Sequence, residues 1–93
     1  MEKLVRKHVF AYWQIYKKKN KKASYDDIDA MAYFMRIAKE HILHVLRPGM
    51  VIVYNNGYEN AKSTIISIDR PGEKILTEDM LIDVDAVYYV AND

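Results

Sequence analysis

The sequence changes its periodicity at Pro48-Gly49, and that break constrains the fold more than any other feature. Before it, apolar residues recur at steps of three and four, which gathers them on one side of a helix; after it, short β-rich runs alternate with turn residues. Leu4, Val5, Val9, Tyr12, Trp13 and Tyr16, with His8 on the same side, predict an amphipathic helix over residues 3 to 18. It runs into Lys17, Lys18, Lys19, Asn20, Lys21 and Lys22, where cations suit the negative end of the helix dipole and Asn20 can support a left-handed stop. Ser24 is a good N-cap for a second helix, with Asp26, Asp27 and Asp29 in its first turn. Its apolar positions Ile28, Met31, Met35, Ala38, Ile42 and Val45 make a heptad-like seam, flanked by Tyr33, Phe34, Ile37 and Leu46. Pro48 and Gly49 end it.

The second half reads as strands from Val51 to Tyr54, Lys62 to Ile68, Lys74 to Thr77 and Val84 to Val90. Asn56-Gly57 is a hairpin signal, and Arg70-Pro71-Gly72-Glu73 is a turn in which Pro presets φ and Gly72 supplies a positive φ. Glu78, Asp79 and Met80 form a short link. At 93 residues the chain has room for one core, so residues 1–93 form a single domain, helical over 1–47 and β over 48–93. Short strands joined by tight turns must curl to hide their edges. The expected fold class is α+β: two N-terminal helices followed by a small, strongly curved antiparallel β-sheet or barrel.

Val53-Tyr54-Asn55-Asn56-Gly57, Ile65, Ile68-Asp69, Lys74-Ile75, Ile82, Asp85, Val87 and Val90 follow a strand pattern that resembles the YolD-like proteins, small bacterial and prophage proteins. Met35-Arg36-Ile37-Ala38-Lys39-Glu40-His41 echoes their upstream region, while Ser63 stands where a family glycine is expected. The resemblance implies a Sm-like barrel and a phage or mobile-element setting. It carries no functional residue across.

Chemistry finds little foothold. With no cysteine there is neither a disulfide framework nor a thiolate metal site, and no cofactor is expected. The charged N-terminus offers no apolar run for a signal peptide or a membrane span, so a cytoplasmic protein without a membrane partner is expected. His41 and His44 lie one helical turn apart beside Glu40, but a zinc site needs three or four ligands and no companion motif exists. Ser24 and Ser63 lack a histidine in any recognisable nucleophile arrangement, and neither Gly57 nor Gly72 belongs to a phosphate-cradling loop. The chain reads as a binding protein and not an enzyme.

Three binding modes remain. Net charge is +1, yet residues 1–50 carry eleven Lys or Arg against five acids and residues 51–93 carry three against eight. Lys17, Lys18, Lys19, Lys21 and Lys22, next to Tyr12, Trp13 and Tyr16, suit nucleic-acid phosphates and bases. Glu73, Glu78, Asp79, Asp83 and Asp85 suit a basic site on a host protein, the reading favoured here. Tyr54, Tyr58, Tyr88 and Tyr89 could line a small-ligand pocket. The apolar excess of the second helix adds an expected homo-oligomer with Met31, Phe34 and Met35 near the contact.

Overall fold

The computed structural model of the protein describes residues 2–20 and 28–91. Helix α1 spans Leu4–Lys19 and helix α2 Ile28–Val45; strands β1 Val51–Asn55, β2 Asn60–Asp69, β3 Lys74–Thr77, β4 Leu81–Asp83 and β5 Val87–Val90 follow, with a 3₁₀ turn at Val84–Ala86 before β5. All strand pairs are antiparallel, in the order β4-β3-β2-β1-β5. β4 and β5 are therefore the two edges, and of the two forms expected for the β half the protein has the open curved sheet, not the closed barrel. The long β2 serves both halves of that sheet: residues up to Thr64 pair with β1, and from Ile65 onward with β3. A register shift between Ile65 and Ser67 marks the changeover, and bulges of this kind sharpen twist and bend the strand.

On α1 the expected stripe is buried at Val5, Val9 and Trp13 and partly buried at Leu4, His8, Tyr12 and Tyr16. On α2 the buried residues are Phe34, Ala38, Ile42 and Leu43, with Leu46 just beyond, whereas Ile28 and Val45 of the expected seam stand 77% and 51% exposed. The buried positions Phe34, Ala38, Ile42 and Leu46 step by four, and at about 100° per residue such a row drifts roughly 40° per step around the helix. That drift lets one helix meet both α1 and the β half. Phe34 lies among Tyr12, Trp13 and Tyr16, with ring centroids 6.1, 6.4 and 5.7 Å away, and His41 still meets His8 of α1 further along. Lys39 of α2 pairs with Asp85 at 3.3 Å and Glu73 at 4.0 Å. Ile52, Tyr54, Ile65, Ile75, Ile82, Val84 and Val87 complete one continuous core from the sheet side.

The segment ends are settled by local hydrogen bonds. Asn20 closes α1 at φ −128°, not in the left-handed region expected of it, and its amide Nδ2 donates to Tyr16 O at 3.2 Å. The Ser24 cap and the acids Asp26 and Asp27 lie outside the described residues. α2 stops where Gly49 adopts φ 94°, while the Arg47 guanidinium donates to the carbonyls of His44 and Leu46. In the β1–β2 connection Gly57 takes φ 101°, and Asn56 Oδ1 accepts from the amides of Tyr58 and Glu59, so Asn56-Gly57 builds a four-residue loop. In the β2–β3 turn the positive φ falls on Glu73, at 57°, and not on Gly72. At Gly72 a Cβ would displace the exposed Asp69 carboxylate, whose Oδ1 accepts from the Gly72 amide at 3.1 Å.

Two substitutions test this core. Phe34→Ala should cost about 3–5 kcal/mol in urea unfolding because it empties the centre of the aromatic cluster, whereas Ile28→Ala should stay within about 0.5 kcal/mol. Ser63 is 6% exposed, and among the described residues its Oγ has no hydrogen-bond partner, so Ser63→Ala should leave stability unchanged or raise it by up to about 1 kcal/mol.

Candidate functional site

The helices cover one face of the sheet, which leaves the other face of β2, β3 and β4 to solvent. Along β3 and β4 the alternation is strict: Ile75, Thr77 and Ile82 point into the core, while Leu76, Leu81 and Asp83 are exposed. Leu76 pairs directly with Leu81 across β3 and β4, and with Ser67 across β2 and β3, where the bulge leaves Ile66 exposed as well. The outcome is an apolar row across three strands, with Ile66 51%, Leu76 39% and Leu81 57% exposed.

Charges frame this row on both sides. One side carries Asp69, Lys74 and Asp83, which are neighbours in register, and Lys74 Nζ reaches Asp83 Oδ1 at 2.7 Å. The other side carries Glu78 and Asp79 in the turn, whose shape is set by the buried Thr77: its Oγ1 donates to Met80 O at 2.8 Å and accepts from the amides of Asp79 and Met80. The Glu78 amide donates to Thr64 O at 3.1 Å, which ties the turn back to β2. The row is thus bordered by four carboxylates against Lys74 and, in the β2–β3 turn, Arg70. An exposed ion pair such as Lys74–Asp83 stabilises a fold by only about 0–1 kcal/mol, so its chief effect here is on the surface potential.

The acids expected to act together divide into two groups. Glu78, Asp79 and Asp83 border the outer face, whereas Glu73 and Asp85 are engaged by Lys39 and fasten α2 to the sheet. Lys17, Lys18 and Lys19 form the exposed last turn of α1; Lys21 and Lys22 lie outside the described residues. The aromatics that might have stacked on bases beside those lysines are taken up by the packing around Phe34: Trp13 is fully buried, and Tyr12 and Tyr16 are half-buried. Phe34 itself is consumed inside the domain, while Met31 and Met35 are half-buried and line a groove of about 250 Å³ with Arg6, Val9 and Phe10. The four tyrosines are not gathered into a pocket: Tyr54 is in the core, Tyr88 is buried and receives a hydrogen bond on its hydroxyl from Asn55 Nδ2, Tyr89 is exposed, and Tyr58 stands 97% exposed on a loop.

His41 and His44 are both exposed on α2, and His41 stacks across the helix seam with His8, ring centroids 5.4 Å apart. His8 Nδ1 is 3.0 Å from Leu4 O. Among the described residues no three His, Cys, Asp or Glu side chains converge as metal ligands, and no helix is long and apolar enough to cross a membrane. Sequence reasoning missed β4 and therefore the apolar row. The signal was present in the alternation Leu81, Ile82, Asp83 directly after a Thr-Glu-Asp-Met turn.

The chain matches no family model, no curated protein and no solved structure.

An exposed row contributes little to its own fold. Leu76→Thr and Leu81→Thr, which keep strand propensity, should each change the urea midpoint by the equivalent of about 1 kcal/mol or less, alone or combined. A loss several times larger would make these leucines part of the core and remove the site.

Proposed function

We propose that this domain is a non-enzymatic docking module that presents the outer face of β2, β3 and β4 to a partner protein with an apolar centre and basic surroundings. The observation that carries this reading is the contiguous row of Ile66, Leu76 and Leu81 within a carboxylate border. Single exposed apolar side chains are ordinary on any protein surface; a contiguous row bordered by charge is the common form of an interaction site. The border supplies what the apolar row lacks: long-range attraction that selects basic partners and speeds encounter. In the phage or mobile-element setting implied by the YolD-like resemblance, that partner is a host protein.

The nucleic-acid reading keeps its charges but loses half of its mechanism. Lys17, Lys18 and Lys19 are exposed, yet Trp13 is buried and Tyr12 and Tyr16 are half-buried against Phe34, so the lysines provide phosphate contact with little aromatic surface for stacking. A few phosphate contacts of this kind give weak, strongly salt-dependent binding. A small-ligand role has even less support, since the four tyrosines are dispersed.

Site-specific photo-crosslinking tests the reading directly. A photoreactive phenylalanine analogue placed at Leu76 should give a discrete protein adduct in host cells that survives nuclease treatment; one placed at the more accessible Tyr58 should not. Glu78→Gln with Asp79→Asn should reduce the adduct about threefold or more at low ionic strength, with a smaller effect in high salt. Equal yields from both positions, or adducts that disappear with nuclease, would show the docking surface to lie elsewhere.

A further inference from the structure

The same strands also show how a partner can be held. Sheet edges differ in what lies beside them: β5 has α1 packed beside it, with Tyr88 close to Lys3 and Arg6, whereas β4 has β3 on one side and, among the described residues, no strand on the other. The β3–β4 ladder fixes which backbone groups point to that open side. The Thr77 amide donates to Met80 O at 2.9 Å and the Val84 amide to Glu73 O at 3.0 Å, with Lys74↔Asp83, Ile75↔Ile82 and Leu76↔Leu81 between them. Hydrogen-bonded and non-hydrogen-bonded pairs alternate along an antiparallel ladder. Ile82 therefore turns its N–H and C=O toward β3, while Leu81 and Asp83 turn theirs outward. These are the two residues of β4 whose side chains lie on the exposed face.

Resting on the docking surface argued above, we infer that β4 is the recognition edge. An extended basic segment of the partner adds as a sixth strand, exchanging main-chain hydrogen bonds with Leu81 and Asp83. On the outer face, where Leu81 and Asp83 lie two residues apart, the segment sets an apolar side chain opposite Leu81, which continues the Ile66–Leu76–Leu81 row, and cations on that same face opposite Asp83 and toward Asp79 and Glu78. Strand addition draws affinity from backbone bonds and specificity from alternate side chains, so backbone and side-chain contributions converge here on the same two residues.

A second copy of this chain is the poorer occupant. If β4 paired antiparallel with another β4 about a dyad at Leu81, Asp79 would oppose Asp83 of the other copy; about Ile82, Asp79 would oppose Asp85; about Asp83, that residue would oppose itself. Every register sets carboxylate against carboxylate, and like charges directly across a ladder are destabilising. Replacing one strand by a basic one converts each repulsion into an attraction.

The test uses the full chain and a fluorescent peptide repeating Lys-Thr-Val-Thr, which places lysine and valine in turn on one face of a strand, with two control peptides: the same repeat with glutamate in place of lysine, and the lysine peptide N-methylated on alternate backbone amides. Asp83 has φ −77° and an outward amide, so Asp83→Pro deletes one donor in a backbone that proline accepts; Asp83→Asn removes the charge and keeps the amide. The lysine peptide should bind, with slowed exchange of the Leu81 and Asp83 amides. Asp83→Pro should weaken it about tenfold and Asp83→Asn about threefold, and the N-methylated and acidic peptides should fail. Should Asp83→Pro prove unfolded, the N-methylated peptide carries the same test. Equal binding of the N-methylated peptide, with Asp83→Pro no worse than Asp83→Asn, overturns strand addition; if Leu76→Thr still weakens binding, the docking face itself survives. Absence of any binding by the lysine peptide also overturns the strand-addition proposal, while crosslinking from Leu76 decides the docking face independently.

Discussion

The structure depends on the seating of Phe34 among Tyr12, Trp13 and Tyr16. A chain this small has little apolar surface to spare, and this cluster joins α1 to α2 in an antiparallel pair. Once that pair is formed, the drift of the buried face along α2 carries Ala38, Ile42 and Leu46 toward the sheet, and Lys39 reaches Asp85 and Glu73. The helix pair can therefore cover one sheet face only. Solvent exposure of the other face is a consequence of how the core is divided.

This division accounts for what could and could not be read from the residues. The break at Pro48-Gly49, the α1 stripe and the Lys74–Thr77 strand all follow from local pattern, and local pattern survives in the fold. The α2 seam differs from the expected one because a heptad template selects Ile28 and Val45, whereas a helix that packs on both α1 and the β half buries a drifting row. β4 escaped notice since three residues give too short an alternation to stand out from a link. The two groups of acids look alike in sequence; only the tertiary position of Lys39 separates Glu73 and Asp85 from Glu78 and Asp79.

Aromatic residues illustrate the same limit from the other side. Tyr12, Trp13 and Tyr16 beside a lysine run form the composition expected of a base-stacking platform. Their periodicity argued equally for a core stripe, and burial decides for Trp13, which is fully enclosed, while Tyr12 and Tyr16 pack on Phe34 and stay half-buried. The same reasoning raises the standing of Leu76 and Leu81, which the sequence presents as ordinary strand residues and the fold leaves in water.

The carboxylates near β4 admit two physical roles, and the geometry joins them. An edge strand that offers unpaired backbone groups beside an apolar row invites self-association, and natural edges commonly avoid this by being short and charged. β4 is both: three residues long, with Asp83 on it and Glu78 and Asp79 in the turn before it. Repulsion between copies is then strong in every antiparallel register, but it depends on the sign of what approaches. The charges that keep two copies apart attract a basic strand to the same hydrogen-bonding groups, so the device that protects the edge also determines the partner it selects. A merely protective edge needs no exposed apolar row beside it, and the row of Ile66, Leu76 and Leu81 is what favours recognition over protection alone.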